Sequence, residues 1–382
     1  MQNVLIAVIC LFCAFSVVGQ DSYERALASL EKDDLAATYK FAKECYESDS
    51  MNTDCIGLVA KSALGLGDMA NAKKFYHLLE KLDTTNMESL VQLASIYETQ
   101  QQIPRAIKYY SLLNKKLPEN PIYFRKNARL FNLVKDYREA FRLYAVANKL
   151  NPRDVLTLKG LAEICIRNNQ MDMADSLIHK SLEIDAENVS MSYLLARSKY
   201  RQKQFDSVTF ILEGLRGRVD LDSYNNKLLG YAYLQIDSID LAVQKLQLAL
   251  VDEQESEKLH FYLATAYEKK EEMEGAMDHY NKAIKYAKSP DLDLYHRNAA
   301  RLAYAEKNFK EAIANYKDAY KYGQDPVVLY QLATISDIYY KDKSIAINYF
   351  KKYIKSGHSN KEYLEYARQR SRYLVEMQHQ SN

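Results

Sequence analysis

Residues 257–284, EKLHFYLATAYEKKEEMEGAMDHYNKAI, place His260 and His279 among Glu268, Glu271, Glu272, Glu274 and Asp278. Imidazole and carboxylate are the side chains that ligate zinc or carry protons near neutral pH. A zinc centre needs at least three such ligands converging on one point. The spacing predicts that His260 and His279 lie on different helices and share no helical face, and no third ligand stands at a suitable interval. The acids from Glu268 to Glu274 fall in the turn between those helices, where a solvated face accounts for them. No metal site is expected.

The rest of the chain offers no other catalytic constellation. H-E-x-x-H, G-x-x-x-x-G-K-[ST], G-x-G-x-x-G and G-x-S-x-G are all missing. Cys165 has the spacing of a core residue, whereas a reactive thiolate needs an accessible, electropositive niche. No enzymatic activity and no cofactor are expected.

What would position such residues is a helical frame. The 382 residues contain only 11 Gly and 6 Pro, with no Trp and 32 Tyr. Few helix breakers among many helix formers predict an almost all-α protein in which tyrosine does most of the large-residue packing. Lys and Arg number 52 against 50 Asp and Glu, a net charge of +2. That balance speaks against a dedicated nucleic-acid binder, which carries a basic excess.

Val4–Val18 is an uncharged apolar run too short for a comfortable membrane span, and small residues follow it up to Gly19. A secretory signal over residues 1–19, cleaved near Gly19–Gln20, is expected. An uncleaved anchor is the alternative, because Met1-Gln2-Asn3 has no Lys or Arg. Cys10 and Cys13 lie inside this run and are no redox motif. Export would place the protein in the periplasm or cell envelope, with no stable membrane span after cleavage. Cys45 and Cys55 are close enough to pair across one helix–helix turn in an oxidising compartment. Two small buried thiols are the expectation.

The chain repeats every 34 residues. In registers starting at 19, 53, 87, 121, 155, 189, 223 and 257, the eighth position is Ala26, Ala60, Ala94, Ala128, Ala162, Ala196, Gly230 and Ala264. A ninth register at 293 puts Ala300 there. The twentieth position is small in most registers, from Ala72 to Ala312, and the twenty-fourth is large, as in Tyr76, Tyr110, Tyr144, Leu246, Tyr280 and Tyr316. Apolar residues three and four apart describe two short amphipathic helices per unit. Small residues on both let the helices approach closely, and the large one fills the gap beside them. One such pair cannot bury both of its faces, so pairs must stack.

This pattern resembles the tetratricopeptide repeat over residues 19 to about 358, with Asn86–Pro118, Asn120–Pro152 and Glu257–Tyr286 the clearest copies. The resemblance implies a right-handed α-α superhelix of about nine to ten helix pairs over residues 20–359. Units would start near 19, 53, 87, 121, 155, 189, 223, 257, 293 and 326. Residues 360–382 would add a capping helix and tail, with Leu364, Ala367, Leu374 and Val375 inward and Arg368, Arg370 and Arg372 wet. Asn127 and Arg25 depart from the pattern at the usually apolar seventh position.

Such proteins bind through the concave face built by the first helix of each pair, at positions two, five, six, nine, twelve and thirteen. From 121 onward these positions carry Arg125, Lys126, Arg129, Lys159, Arg167, Arg197, Arg201, Lys227, Lys258, Lys269, Arg297 and Arg301, against the acids Glu163 and Glu268 alone. Tyr193, Tyr200, Tyr224, Tyr231, Phe261, Tyr262 and Tyr304 are interleaved. Arginine makes bidentate bonds to carboxylates and tyrosine offers rigid amphipathic area. The expected partner is therefore a protein or peptide, acidic or extended, and not nucleic acid. An acidic non-protein polymer such as a glycan is the alternative. Arg297 and Arg301 hold clamp-like positions five and nine, but the asparagine of a carboxylate clamp is missing.

Overall fold

The computed structural model describes residues 20–380; the expected signal segment, residues 1–19, lies outside the described residues. Among the described residues there are helices and no strands. The chain divides into two compact units, through Met191 and from Ser192 onward.

The first unit holds α1 (20–31), α2 (Leu35–Ser48), α3 (Thr53–Gly65), α4 (Met69–Leu82), α5 (Met87–Thr99), α6 (Ile103–Lys116), α7 (Pro121–Leu133), α8 (Tyr137–Leu150), α9 (Val155–Arg167) and α10 (Met171–Ile184). Each odd helix packs antiparallel to the next. The starts are punctuated by short polar side chains. Asn86 accepts from Ser89 N, Asp68 from Asn71 N and Asp136 from Glu139 N. Each satisfies one amide that the helix itself leaves unpaired. Pro121 occupies the first turn of α7, where its missing N–H costs nothing.

Between the two helices of a pair the turn has one form. Asp33, Gln101, Lys135 and Asn169, with Gly67 completing the series, take positive φ 34 residues apart. The small residues face one another at the crossing. Ala60 and Ala72, Ala94 and Ala106, Ala128 and Ala140, and Ala162 and Ala174 are all fully buried. Tyr76, Tyr110 and Tyr144 pack beside them. Each such ring removed from water contributes roughly 1.5–3 kcal/mol. At Gly160 a Cβ would lie 2.3 Å from the Tyr144 ring, so only glycine admits that tyrosine.

Cys45 in α2 and Cys55 in α3 are joined as a disulfide with Cα atoms 5.9 Å apart, which corrects the expectation of two free thiols. Both sulfurs are buried where the first pair meets the second, so the bond staples adjoining repeats. Asn127 is buried despite its polarity and donates to Ser111 Oγ at 3.1 Å. Arg25 instead reaches outward, 4.2 Å from the Phe41 ring.

α11 (Val189–Arg201) crosses the boundary between the units. The second unit continues with α12 (Phe205–Glu213), α13 (Ser223–Gln235), α14 (Ile239–Asp252), α15 (Glu257–Lys269), α16 (Met273–Tyr286), α17 (Leu292–Ala305), α18 (Phe309–Gly323), α19 (Pro326–Tyr339), α20 (Ser344–Lys355) and α21 (Lys361–Gln380). The same left-handed turn recurs at Lys203, Asp237, Glu271 and Lys307. α12 is the shortest of these helices, ending at Gly214 with Gly217 at positive φ just beyond. Gly230 stands in for alanine because a Cβ there would meet Leu246 at 2.7 Å. α21 buries Ala367, Ser371 and Leu374 against a cluster that includes Phe350 and Tyr353.

Candidate functional site

The cations expected on the first-helix face stand beside carboxylates that the chain itself supplies. In the first unit Arg125 Nη1 donates to both oxygens of Asp154, at 2.8 and 3.0 Å, and Thr157 Oγ1 donates to the same carboxylate at 2.6 Å. Asp154 is the residue before α9 and makes no capping bond of its own, so its charge is available to α7. Arg129 pairs with Glu98 of α5, and the Tyr110 hydroxyl donates to that carboxylate at 2.5 Å.

The second unit builds the same two motifs again. Arg301 pairs with Glu268 at 2.6 Å, and the Tyr280 hydroxyl donates to Glu268 at 2.9 Å. Arg297 bridges Asp293 and Asp325, both at 3.0 Å. Lys227 Nζ lies 2.8 Å from Glu253, and Lys269 lies 2.7 Å from Asp237. Positions five and nine thus serve first as joints between repeats. Arg167 finds an aromatic neighbour, stacking 4.3 Å from the Tyr137 ring.

Three cations of the set keep no carboxylate among the described residues: Lys126, Lys159 and Lys258. Lys126 Nζ reaches only the Tyr110 hydroxyl, at 3.3 Å. Lys126 and Lys159 line one cleft of about 440 Å³ between α7 and α9, together with Arg125, Arg129, Glu98 and Glu163. Tyr144 forms its floor, placed there by Gly160. Burial, with Glu163 nearby, pushes the Tyr144 phenol up to about 12 against the opposing pull of Arg129 and Arg125, so it stays a neutral hydroxyl. Leu156 adds an exposed apolar edge. The cleft can therefore receive a carboxylate-bearing chain with an apolar neighbour.

The aromatics assemble on their own. Tyr200, Tyr231 and Tyr262 form a continuous shelf in the second unit, with ring centroids 5.5 Å apart for the first pair and 4.6 Å for the second. Phe205 packs edge-on against Tyr231, and Phe261 links Tyr262 to Tyr295. Burial and the neighbouring Tyr200 push the Tyr262 phenol upward, the two hydroxyls being hydrogen-bonded. Tyr224 is exposed, with Lys227 5.9 Å from its ring. Tyr193 is half-buried, and Arg197 and Arg201 belong to the same helix as Tyr200. Lys258 is exposed on α15, and Tyr304 lies further along the chain, against Phe309.

The histidines meet after all. His260 and His279 stand on different helices of one pair, α15 and α16, yet their Nδ1 atoms are 2.9 Å apart. His260 Nε2 lies 3.0 Å from the Gln254 carbonyl and must donate to it, so its Nδ1 accepts from His279. Sequence spacing missed this contact because positions four and twenty-three converge only where the helices cross. In the next pair His296 Nδ1 lies 2.9 Å from Asn315 Oδ1 at the same two positions. Among the described residues no group of three or more His, Cys, Asp or Glu is placed to hold a metal ion. Also among them, no helix is long and apolar enough to cross a membrane.

The paired helices, their small-residue crossings and their 34-residue spacing make this an all-α repeat protein of the tetratricopeptide kind. No family model matches the chain, and no curated protein matches it. Solved structures similar to it include YrrB, described as a TPR protein with an unusual peptide-binding site. That match has 18% identity and a TM-score of 0.43, over 49% of this chain and 95% of YrrB. PilF of Pseudomonas aeruginosa matches at 16% identity and TM-score 0.46, over 55% of this chain and 94% of its own. The Cut9–Hcn1 hetero-tetramer of the APC/C matches at 12% identity and TM-score 0.46, over 91% of this chain and 90% of that one.

Proposed function

We propose that the chain is a non-enzymatic scaffold of the bacterial cell envelope that holds an extended, acidic segment of a partner protein. The observation that carries this reading is the cleft between α7 and α9. There Lys126 and Lys159 point a net positive charge at solvent without a carboxylate of their own, while Arg125 and Arg129 are held rigid by Asp154 and Glu98. A ligand carboxylate entering the cleft gains charge-assisted bonds without ordering those side chains anew. The buried Cys45–Cys55 bond supports the exported location, since structural disulfides persist in oxidising compartments.

A second reading, an acidic polysaccharide as ligand, draws on the Tyr200–Tyr231–Tyr262 shelf, whose faces suit sugar rings as well as side chains.

Anisotropy titrations with labelled extended peptides of equal length, acidic, neutral and basic, test the first reading. The acidic peptide should bind, and Lys126→Ala/Lys159→Ala should weaken it by about tenfold, or 1.4 kcal/mol. Equal binding of all three peptides, or no effect of the double substitution, removes the proposal. Stronger binding of an acidic polysaccharide of matched charge decides for the second reading.

A further inference from the structure

The two ends of the chain carry opposite charge. Residues 20–49, which form α1 and α2, hold eight carboxylates against four bases. Residues 344–380, which form α20 and α21, hold seven bases against three carboxylates. The chain as a whole is balanced, so its ends concentrate what its middle cancels.

Neither end spends that charge internally. On α1, Glu24 and Glu31 are exposed and have no ion-pair partner among the described residues; Asp21 pairs with Arg25 at 3.5 Å. On α21, Arg368 and Arg372 are exposed and likewise without one, while Arg370 is tied to Asp337 at 2.7 Å. Both ends also show apolar surface beside the charge. Leu27 is 36% exposed on α1, and Tyr366 and Tyr373, two turns apart on α21, are 45% and 50% exposed. A terminal helix of a repeat array ordinarily turns a polar face outward to stop further stacking. The outer face of α21 is cationic and aromatic instead.

We infer that these ends are complementary halves of one interface, and that α1–α2 of one copy seats on α21 of a second copy of this chain. The tyrosines would cover Leu27 while Arg368 and Arg372 meet Glu24 and Glu31. The two surfaces differ, so the contact is head-to-tail: it leaves one free end of each kind and grows beyond a dimer unless it closes into a ring. Exposed charge pairs are screened by salt, so assembly is strongest at low ionic strength.

Sedimentation velocity of the full chain tests this. At about 20 mM salt the weight-average mass should rise with concentration beyond the dimer, and about 500 mM salt should reverse it. Arg368→Glu/Arg372→Glu alone and Glu24→Lys/Glu31→Lys alone should each stay monomeric, with unchanged helical circular dichroism as the folding control. Mixing the two variants should restore assembly, because each then offers the charge that the other lacks. A wild type that is monomeric throughout overturns the inference. So does assembly that survives either charge reversal, or a mixture that stays monomeric. Binding of α21 to vesicles containing anionic lipid, lost in Arg368→Glu/Arg372→Glu without any self-association, assigns the face to a membrane surface and equally overturns it.

Discussion

The Nδ1 atoms of His260 and His279 lie 2.9 Å apart, with the His279 ring stacked on Tyr267 and the His260 ring on Tyr286. Only one proton fits between two such nitrogens. Burial, then His260 and Lys282, push His279 down to about 4 against the opposing Asp278, and burial pushes His260 down as well.

These depressed values make the second unit acid-sensitive. Above the ordinary histidine value of 6.5, both rings are neutral whether the chain is folded or unfolded. Below it the unfolded chain takes up protons that the folded one refuses, so stability falls as pH drops from 6.5 towards 4. Thermal unfolding should report a loss of about 1–2 kcal/mol between pH 6.5 and 4.5. His279→Asn should flatten that profile, since the next repeat already places Asn315 opposite His296. An unchanged profile in the variant would show that the sensitivity arises elsewhere.

The Tyr280–Glu268–Arg301 and Tyr110–Glu98–Arg129 triads each join consecutive repeats. Both arginines are more than half exposed, so each pair contributes little. A double-mutant cycle with Glu268→Gln and Arg301→Ala should give a coupling of about 0.5–1 kcal/mol that shrinks with salt. A coupling of zero at low salt would leave the triads without an energetic role.

The Cys45–Cys55 bond closes a ten-residue separation. Closing so short a loop in the unfolded chain removes about 2–3 kcal/mol of its entropy. Cys45→Ala/Cys55→Ala should lower the unfolding midpoint of the first unit, and reductant should do the same to the wild type but not to the variant. A wild type with three titratable thiols in the chain beyond residue 19 contradicts the bond.

Gly160→Ala should cost about 1–3 kcal/mol, because the new methyl group overlaps the Tyr144 ring. Tyr144→Leu in the same chain should recover part of the loss by making room. If Gly160→Ala is neutral, the floor of the α7–α9 cleft is softer than its packing indicates.

The helix pairs were legible because their signal is local. Alanine at positions eight and twenty with a large residue at twenty-four marks the crossing, and the burial of Ala94, Ala106 and Tyr110 follows from it. Electrostatics were less legible because the neutralising groups sit elsewhere. Asp154, Glu253 and Asp325 occupy the loops that precede first helices, outside the positions at which a face is counted, and reach cations 26 to 29 residues away. An acid just ahead of a helix was the available signal, but it reads first as a cap. Cys45 and Cys55 showed the opposite limit, since their separation fits a free pair and a bonded one equally well.

The left-handed turn inside each pair recurs with φ of 56–66° on Asp, Gln, Lys, Asn and Glu alike. Residue identity is therefore free at that joint while geometry is not. The joints between pairs behave differently: the loop after α12 is lengthened, and the one after α16 shifts the period by two residues. The molecule thus has rigid elbows and adjustable spacers. Mechanical compliance, and the room for insertions to accumulate without unfolding a repeat, belong to the spacers alone.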